Sequence, residues 1–138
     1  MTATDHAVTL VRTAALAAAD KLATDQLAFD VSEQLAITDA FLLASGANDR
    51  QVRAIVEEIE DKLRELDAKP IRREGHRDGR WVLLDYGDVV IHVQHAEERE
   101  FYALERLWRD CPVIDLPAEI NWPTAPSSPS SPAAPAED

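Results

Sequence analysis

Only one cysteine, Cys111, occurs in the 138 residues. A single thiol excludes an internal disulfide and a cysteine-based zinc site, and it fits a reducing cytosol. Long apolar runs are missing as well. The longest low-polarity stretch, Thr13 to Ala19, is alanine-dominated and ends at Asp20, well short of the roughly 20 residues a bilayer span needs. No basic segment precedes a leucine-rich core, since Asp5 comes before Arg12, so neither a secretory nor a mitochondrial leader is expected. Bases are outnumbered, 14 against 26 acids, for a formal charge of −12. Readers of nucleic acid use Lys and Arg to displace counterions from phosphates, and this balance leans away from them. The same charge attracts basic protein surfaces and speeds encounter with them, although it also simply keeps a protein soluble.

What is present fills one domain. The hydrophobic fraction of 46% is that of a globular chain. Val8, Val11, Ala15, Ala18 and Leu22 recur at helical spacing and predict a first helix over 5–23. Leu27 to Val31 alternates weakly, and Ala40-Phe41-Leu42-Leu43-Ala44 reads as a strand buried on both faces. Asn48 with Gln51 three residues on resembles a capping box. The helix that follows runs to about Leu66, with a stripe of Val52, Ile55, Val56, Ile59, Leu63 and Leu66, and Pro70 closes it. Ile71 to Glu74 makes a short edge strand. Trp81–Asp85 and Val89–Gln94 are strands joined by Tyr86-Gly87-Asp88, the clearest hairpin signal in the chain. A last helix is expected over Glu97–Arg109, with Phe101, Leu104, Leu107 and Trp108 on its apolar stripe.

This order, α-β-β-α-β-β-β-α, predicts a single α/β (α+β) domain over 1–112: a mixed sheet of about five strands with flanking helices. Residues 113–138 are expected to form a disordered tail. From Pro117 on, the chain carries six of the eight prolines and four serines, too little apolar bulk to offset its ordering entropy.

Candidate chemistry concentrates at the hairpin. Alternation places Trp81, Leu83 and Asp85 on one face of the first strand and Val82, Leu84 and Tyr86 on the other; Val90 and His92 share a face of the second. Asp85, a carboxylate within an apolar strand, needs a surface or a cation such as Arg99. Asp88 either satisfies backbone donors in the turn or meets a partner. Trp81 suits core packing and interface anchoring equally. His92 and His95 lie on opposite strand faces, which disfavours a shared metal ion. The turn Ser45-Gly46-Ala47-Asn48 lacks a phosphate-loop pattern and reads as a cap. Arg72, Arg73, Arg77 and Arg80 form the one basic cluster, able to touch RNA phosphates at the rim of a contact but diluted by Glu74 and Asp78. No G-x-S-x-G occurs, and Cys111 has no adjacent histidine to activate it.

The block W-V-L-L-D-Y-G-D-V-V-I-H-V at 81–93, R-E-F-Y-A-L-E-R-L-W at 99–108, and D-A-F-L-L-A-S-G with D-R-Q-V at 39–46 and 49–52 resembles the ribosomal silencing factor S family, also called Iojap-like. The likeness spans about Val8 to Asp110. It implies a fold similar to nucleotidyltransferases and a cytoplasmic, non-enzymatic translational repressor without metal or cofactor. Its implied partner is the large-subunit ribosomal protein numbered fourteen, basic as such proteins typically are, with minor ribosomal RNA contact and no DNA or membrane. Binding there would block association of the subunits, and the free protein would be a homodimer. By this resemblance the partner-binding residues are Trp81, Asp85, Tyr86, Asp88, His92, Arg99, Tyr102 and Glu105. The fold kinship supplies the alternative, a metal-dependent nucleotidyltransferase. That chemistry needs carboxylates spaced D-x-D on a strand, whereas Leu83 and Gly87 flank Asp85 at those positions.

Overall fold

The computed structural model describes residues 3–117 and residue 120. Helix α1 spans Asp5–Asp20. The Thr4 hydroxyl caps it by accepting from the Ala7 amide at 3.1 Å. Its buried face is wider than the predicted stripe: Ala7, Leu10, Val11, Ala14, Ala15, Ala17 and Ala18. The small side chains let α1 approach both the sheet and the second helix. Two expected members drop out. Val8 is only half-buried, and Leu22 lies past the helix end at φ 65°, exposed to solvent.

Five strands form one sheet in the order β1-β2-β5-β4-β3. They are β1 (Thr24–Asp30), β2 (Ala40–Gly46), β3 (Arg72–Glu74), β4 (Trp81–Asp85) and β5 (Val89–His95). β2 and β5 run parallel in the centre, in register from Ala40↔Val89 to Gly46↔His95. The other pairings are antiparallel, so the sheet is mixed, as predicted. A central parallel strand is covered on both faces, and every residue of β2 except Phe41 is buried.

Helix α2 (Asp49–Arg64) connects β2 toward the hairpin. The Asn48 Oδ1 accepts from the Gln51 amide at 2.8 Å, while Gln51 Oε1 accepts from the Ala47 amide at 2.6 Å. The forward bond is that of a standard capping box, whereas the return bond is taken from the amide of Ala47, one residue before the cap residue. Val52, Ile55, Val56, Ile59 and Leu63 are all fully buried against the sheet. Leu66 is not on that stripe. The helix ends at Arg64, six residues ahead of Pro70; Asp67 then takes a left-handed φ of 62° and the Ala68 amide donates back to the Leu63 carbonyl.

The last helix is shorter than predicted. α3 covers only Ala96–Tyr102; Ala103 then turns left-handed (φ 47°) and a single 3-10 turn follows at Leu104–Arg106. The reversal lets Glu105 reach back to Arg99 and lays Leu104 and Trp108 against the sheet. Leu107, expected on the apolar stripe, is 73% exposed as a result.

Two cores result. Both long helices pack on one sheet face, around Leu42, Val82, Leu84, Val89, Ile91 and Val93. On the other face Phe29, Val31, Leu43 and Cys111 form a smaller cluster, joined by Leu35, Phe41, Leu104 and Trp108. The chain after Pro112, assigned by sequence to the tail, also contributes. Val113 bridges Phe29, the Ile114 amide donates to Ala28 at 2.9 Å, and Leu116 and Ile120 enter the larger core. The remainder of that expected tail lies outside the described residues.

Ile91 occupies the middle of β5 with no exposed surface. Ile91→Ala should cost about 2–5 kcal/mol through lost transfer energy and a cavity, and Asn48→Ala about 1 kcal/mol through the lost cap. Urea unfolding measures both; an Ile91→Ala loss no larger than that of Asn48→Ala would contradict this packing.

Candidate functional site

The segment 104–111 covers the second sheet face over β1 and β2 and leaves its β4–β5 half only partly covered, with His92 and Gln94 buried and the outer residues half-buried. Trp81, Leu83 and Val90 are half-buried there, beside Asp85. Their presentation follows from the hairpin. Val82 and Leu84 are driven inward by the helices, so strand alternation turns Trp81, Leu83 and Asp85 outward together.

At the centre of this face, the Trp81 indole Nε1–H donates to His92 Nδ1 at 3.1 Å. His92 is 8% exposed, and burial pushes its pKa from 6.5 down to about 4. The imidazole is therefore neutral at physiological pH, with Nδ1 the acceptor and the proton on Nε2. Phe41 meets the His92 ring edge-on (centroids 5.5 Å, 77°), and Trp108 meets Phe41 likewise (5.0 Å, 89°). Four rings thus run from the covered half of the face to the open half.

Asp85 closes the hairpin. Its Oδ1 accepts from the Gly87 amide at 2.8 Å, and Gly87 takes the positive φ of 87° that the turn requires. The cation beside Asp85 is Arg72, at 3.6 Å, and not Arg99. Asp88 leaves its side chain exposed; its carbonyl accepts from the amides of Asp39 and Ala40, which ties the turn to the start of β2.

Arg99 is buried at the other end of the face. It donates to Ser45 Oγ at 3.0 Å and to Glu105 Oε1 at 3.1 Å. Beside Ser45 in register is Gln94, which has no exposed surface and neither of whose amide atoms has a hydrogen-bond partner among the described residues.

The eight residues implied by resemblance therefore divide. Trp81, Asp85 and His92 share the open face, and Arg99 with Glu105 forms a pair that fixes the end of α3. Asp88 stands at the hairpin tip. Tyr86 does not join them: it points to the helix side, packing on the larger core. Burial pushes its phenol up to about 12, and the nearby Glu60 carboxylate adds to this. The side chain of Tyr102 lies outside the described residues. Sequence reasoning missed Phe41, Trp108, Ser45 and Gln94 as neighbours of this site. Phe41 and Ser45 arrive through the parallel pairing of β2 with β5, for which the sequence carries no local signal.

The arginine cluster is mostly spent on acids. Arg72 also contacts Glu74 at 3.3 Å, Arg73 contacts Glu60 at 3.0 Å, and Arg80 bridges Glu97 and Glu98 at 3.2 and 3.1 Å. Cys111 is buried, which raises its pKa, and the Asp110 and Asp30 carboxylates raise it further. Among the described residues, no three His, Cys, Asp or Glu side chains stand where they could hold a metal ion, and no helix is long and apolar enough to cross a membrane.

The family model described as "Ribosomal silencing factor during starvation" matches residues 4–138. A Bacillus subtilis protein named ribosomal silencing factor RsfS is 44% identical over 112 residues, covering 81% of this chain and 95% of its own. A mouse protein named mitochondrial assembly of ribosomal large subunit protein 1 is 31% identical over 107 residues, covering 75% of this chain and 47% of its own. A crystal structure of a Chromobacterium violaceum protein superposes with a TM-score of 0.72 at 33% identity, covering 75% of this chain and 86% of that one.

The buried histidine has a measurable consequence. Unfolded His92 titrates near 6.5 and folded His92 near 4, so between those values the unfolded state holds the extra proton. The stability this involves is fully present above pH 6.5 and is lost as pH falls toward 4, by roughly 3 kcal/mol at about 1.4 kcal/mol per pH unit. Urea midpoints of wild type and His92→Gln should therefore converge or cross on acidification through this window. Parallel curves would contradict a neutral, buried imidazole.

Proposed function

The chain belongs to the ribosomal silencing factor family, and from that premise we propose that it represses translation by binding the large ribosomal subunit and blocking its association with the small one. The open half of the sheet face is the docking surface. Its partner is a basic large-subunit protein, the one numbered fourteen, met in the cytoplasm by a single chain drawn from a free homodimer. The observation that carries this reading is the Trp81 indole, half-exposed on a sheet face and held by a hydrogen bond to His92. An aromatic anchor whose own polar atom is already satisfied is what a binding hot spot uses.

The surroundings supply charge. Asp88 at the hairpin tip is exposed. Glu97 and Glu98 share the single cation Arg80 and so leave a net negative charge there, and the chain as a whole carries −12. A basic partner would be steered toward it and away from competing acidic surfaces. The name of the mouse relative, which refers to the ribosomal large subunit, supports the choice of subunit. Asp85 is engaged by Arg72 and by the Gly87 amide, an arrangement that serves the turn.

Sedimentation of purified subunits tests the proposal. Added protein should travel with the large subunit and deplete joined ribosomes. Trp81→Ala should weaken large-subunit binding by roughly 30-fold or more, the scale of a hot-spot truncation, in a variant that stays folded although the lost bond to His92 lowers its unfolding stability by about 1–3 kcal/mol. Travel with the small subunit, or an undiminished joined fraction, would overturn it.

A further inference from the structure

The open face poses a question of presentation. An indole on a half-open strand can turn about two side-chain bonds, and immobilising it on binding costs affinity unless the free protein already holds it. Here the free protein does hold it. Trp81 and His92 are not directly opposed in the β4–β5 register, where Trp81 faces Gln94 and Leu83 faces His92. The bond therefore runs diagonally across the pair, within reach of long and aromatic side chains. The two rings lie 6.0 Å apart at 49°, a tilted arrangement governed by the hydrogen bond and not by stacking.

His92 is held in turn. Its ring is buried, and the edge of Phe41 sets its plane. Phe41 is fixed by Trp108, which belongs to the segment that covers the other half of the face. We infer that His92 is a positioning residue for docking: by accepting the Trp81 indole proton, braced by Phe41 and Trp108, it presets the Trp81 side chain in the orientation that meets the partner. This rests on the function proposed above, and it adds a requirement on partner chemistry. Because the indole N–H is already satisfied, the partner need offer no acceptor there. It offers an aliphatic or cationic group to the ring, such as a Lys or Arg stem.

Affinity for purified large subunits, measured for the full chain, tests the inference. His92→Leu keeps bulk and burial but removes the acceptor, and should weaken binding by roughly three- to tenfold, the scale of one side chain left to be ordered on association. His92→Gln, whose amide oxygen can accept from the indole, should restore most of that loss. On a Trp81→Ala background, His92→Leu should cause no further loss. The free protein gives an independent readout by nitrogen NMR of the imidazole. Nδ1 should be unprotonated and Nε2 protonated at neutral pH, and the Trp81 indole proton should be shifted and slow to exchange, with both signatures lost in His92→Leu. Equal affinity of His92→Leu and wild type would overturn the inference, as would an undiminished His92→Leu loss in the Trp81→Ala background or a proton on Nδ1. Failure of the wild-type chain to bind large subunits is a separate outcome that overturns the docking reading itself; the imidazole and indole signals then decide whether His92 orients Trp81 at all.

Discussion

The parallel pairing of β2 with β5 is the constraint on which the rest of this structure depends. It joins residues 40–46 to residues 89–95, segments separated by the whole of α2 and by the first strands of the second half. A parallel connection demands a crossover, and α2 supplies it while burying its stripe on the sheet. The same pairing sets Phe41 beside Val90 and within edge contact of His92, and it sets Ser45 beside Gln94, where Arg99 can reach it. Shift this register by one residue and the ring row and the Arg99 anchor both dissolve, because every side chain would change faces.

On this frame the hairpin serves two purposes with one alternation. Val82 and Leu84 are spent on the helix-side core, so their neighbours Trp81, Leu83 and Asp85 must face the other way. That second face is half-covered by the irregular segment after α3, which exists because the helix stops at Tyr102 and Ala103 reverses the chain. Had α3 continued to Arg109, Leu104 and Trp108 would not lie over Phe41. The early stop thus creates both the small second core and the boundary of the open surface.

Charge is arranged so that the few bases are consumed locally. Arg72, Arg73, Arg80 and Arg99 each contact an acid within the fold. The solvent-exposed pairs contribute little stability individually, about 0–1 kcal/mol each. Their larger effect is on recognition: with those cations paired, the surplus acids dominate the field, and a basic partner is favoured over nucleic acid. The buried Arg99 is different. Its bonds to Ser45 and Glu105 satisfy a desolvated guanidinium and fix where α3 ends.

The sequence by itself determined the elements whose cause is local. The Asn48 cap, the buried stripe from Val52 to Leu63, the two-faced hairpin and the doubly buried β2 all follow from neighbours a few residues apart, and the order of elements already implied a mixed sheet. The resemblance carried by 81–93 and 99–108 identified the family. Only tertiary structure decided what those residues meet. Local patterning could not show that Arg72 and not Arg99 would stand beside Asp85, although alternation already set Tyr86 on the face of Val82 and Leu84. It gave no sign that Leu116 and Ile120 would join the core, or that His92 would accept from Trp81. Each of these depends on contacts between strands or segments distant in sequence, where register and burial, rather than propensity, choose the partner.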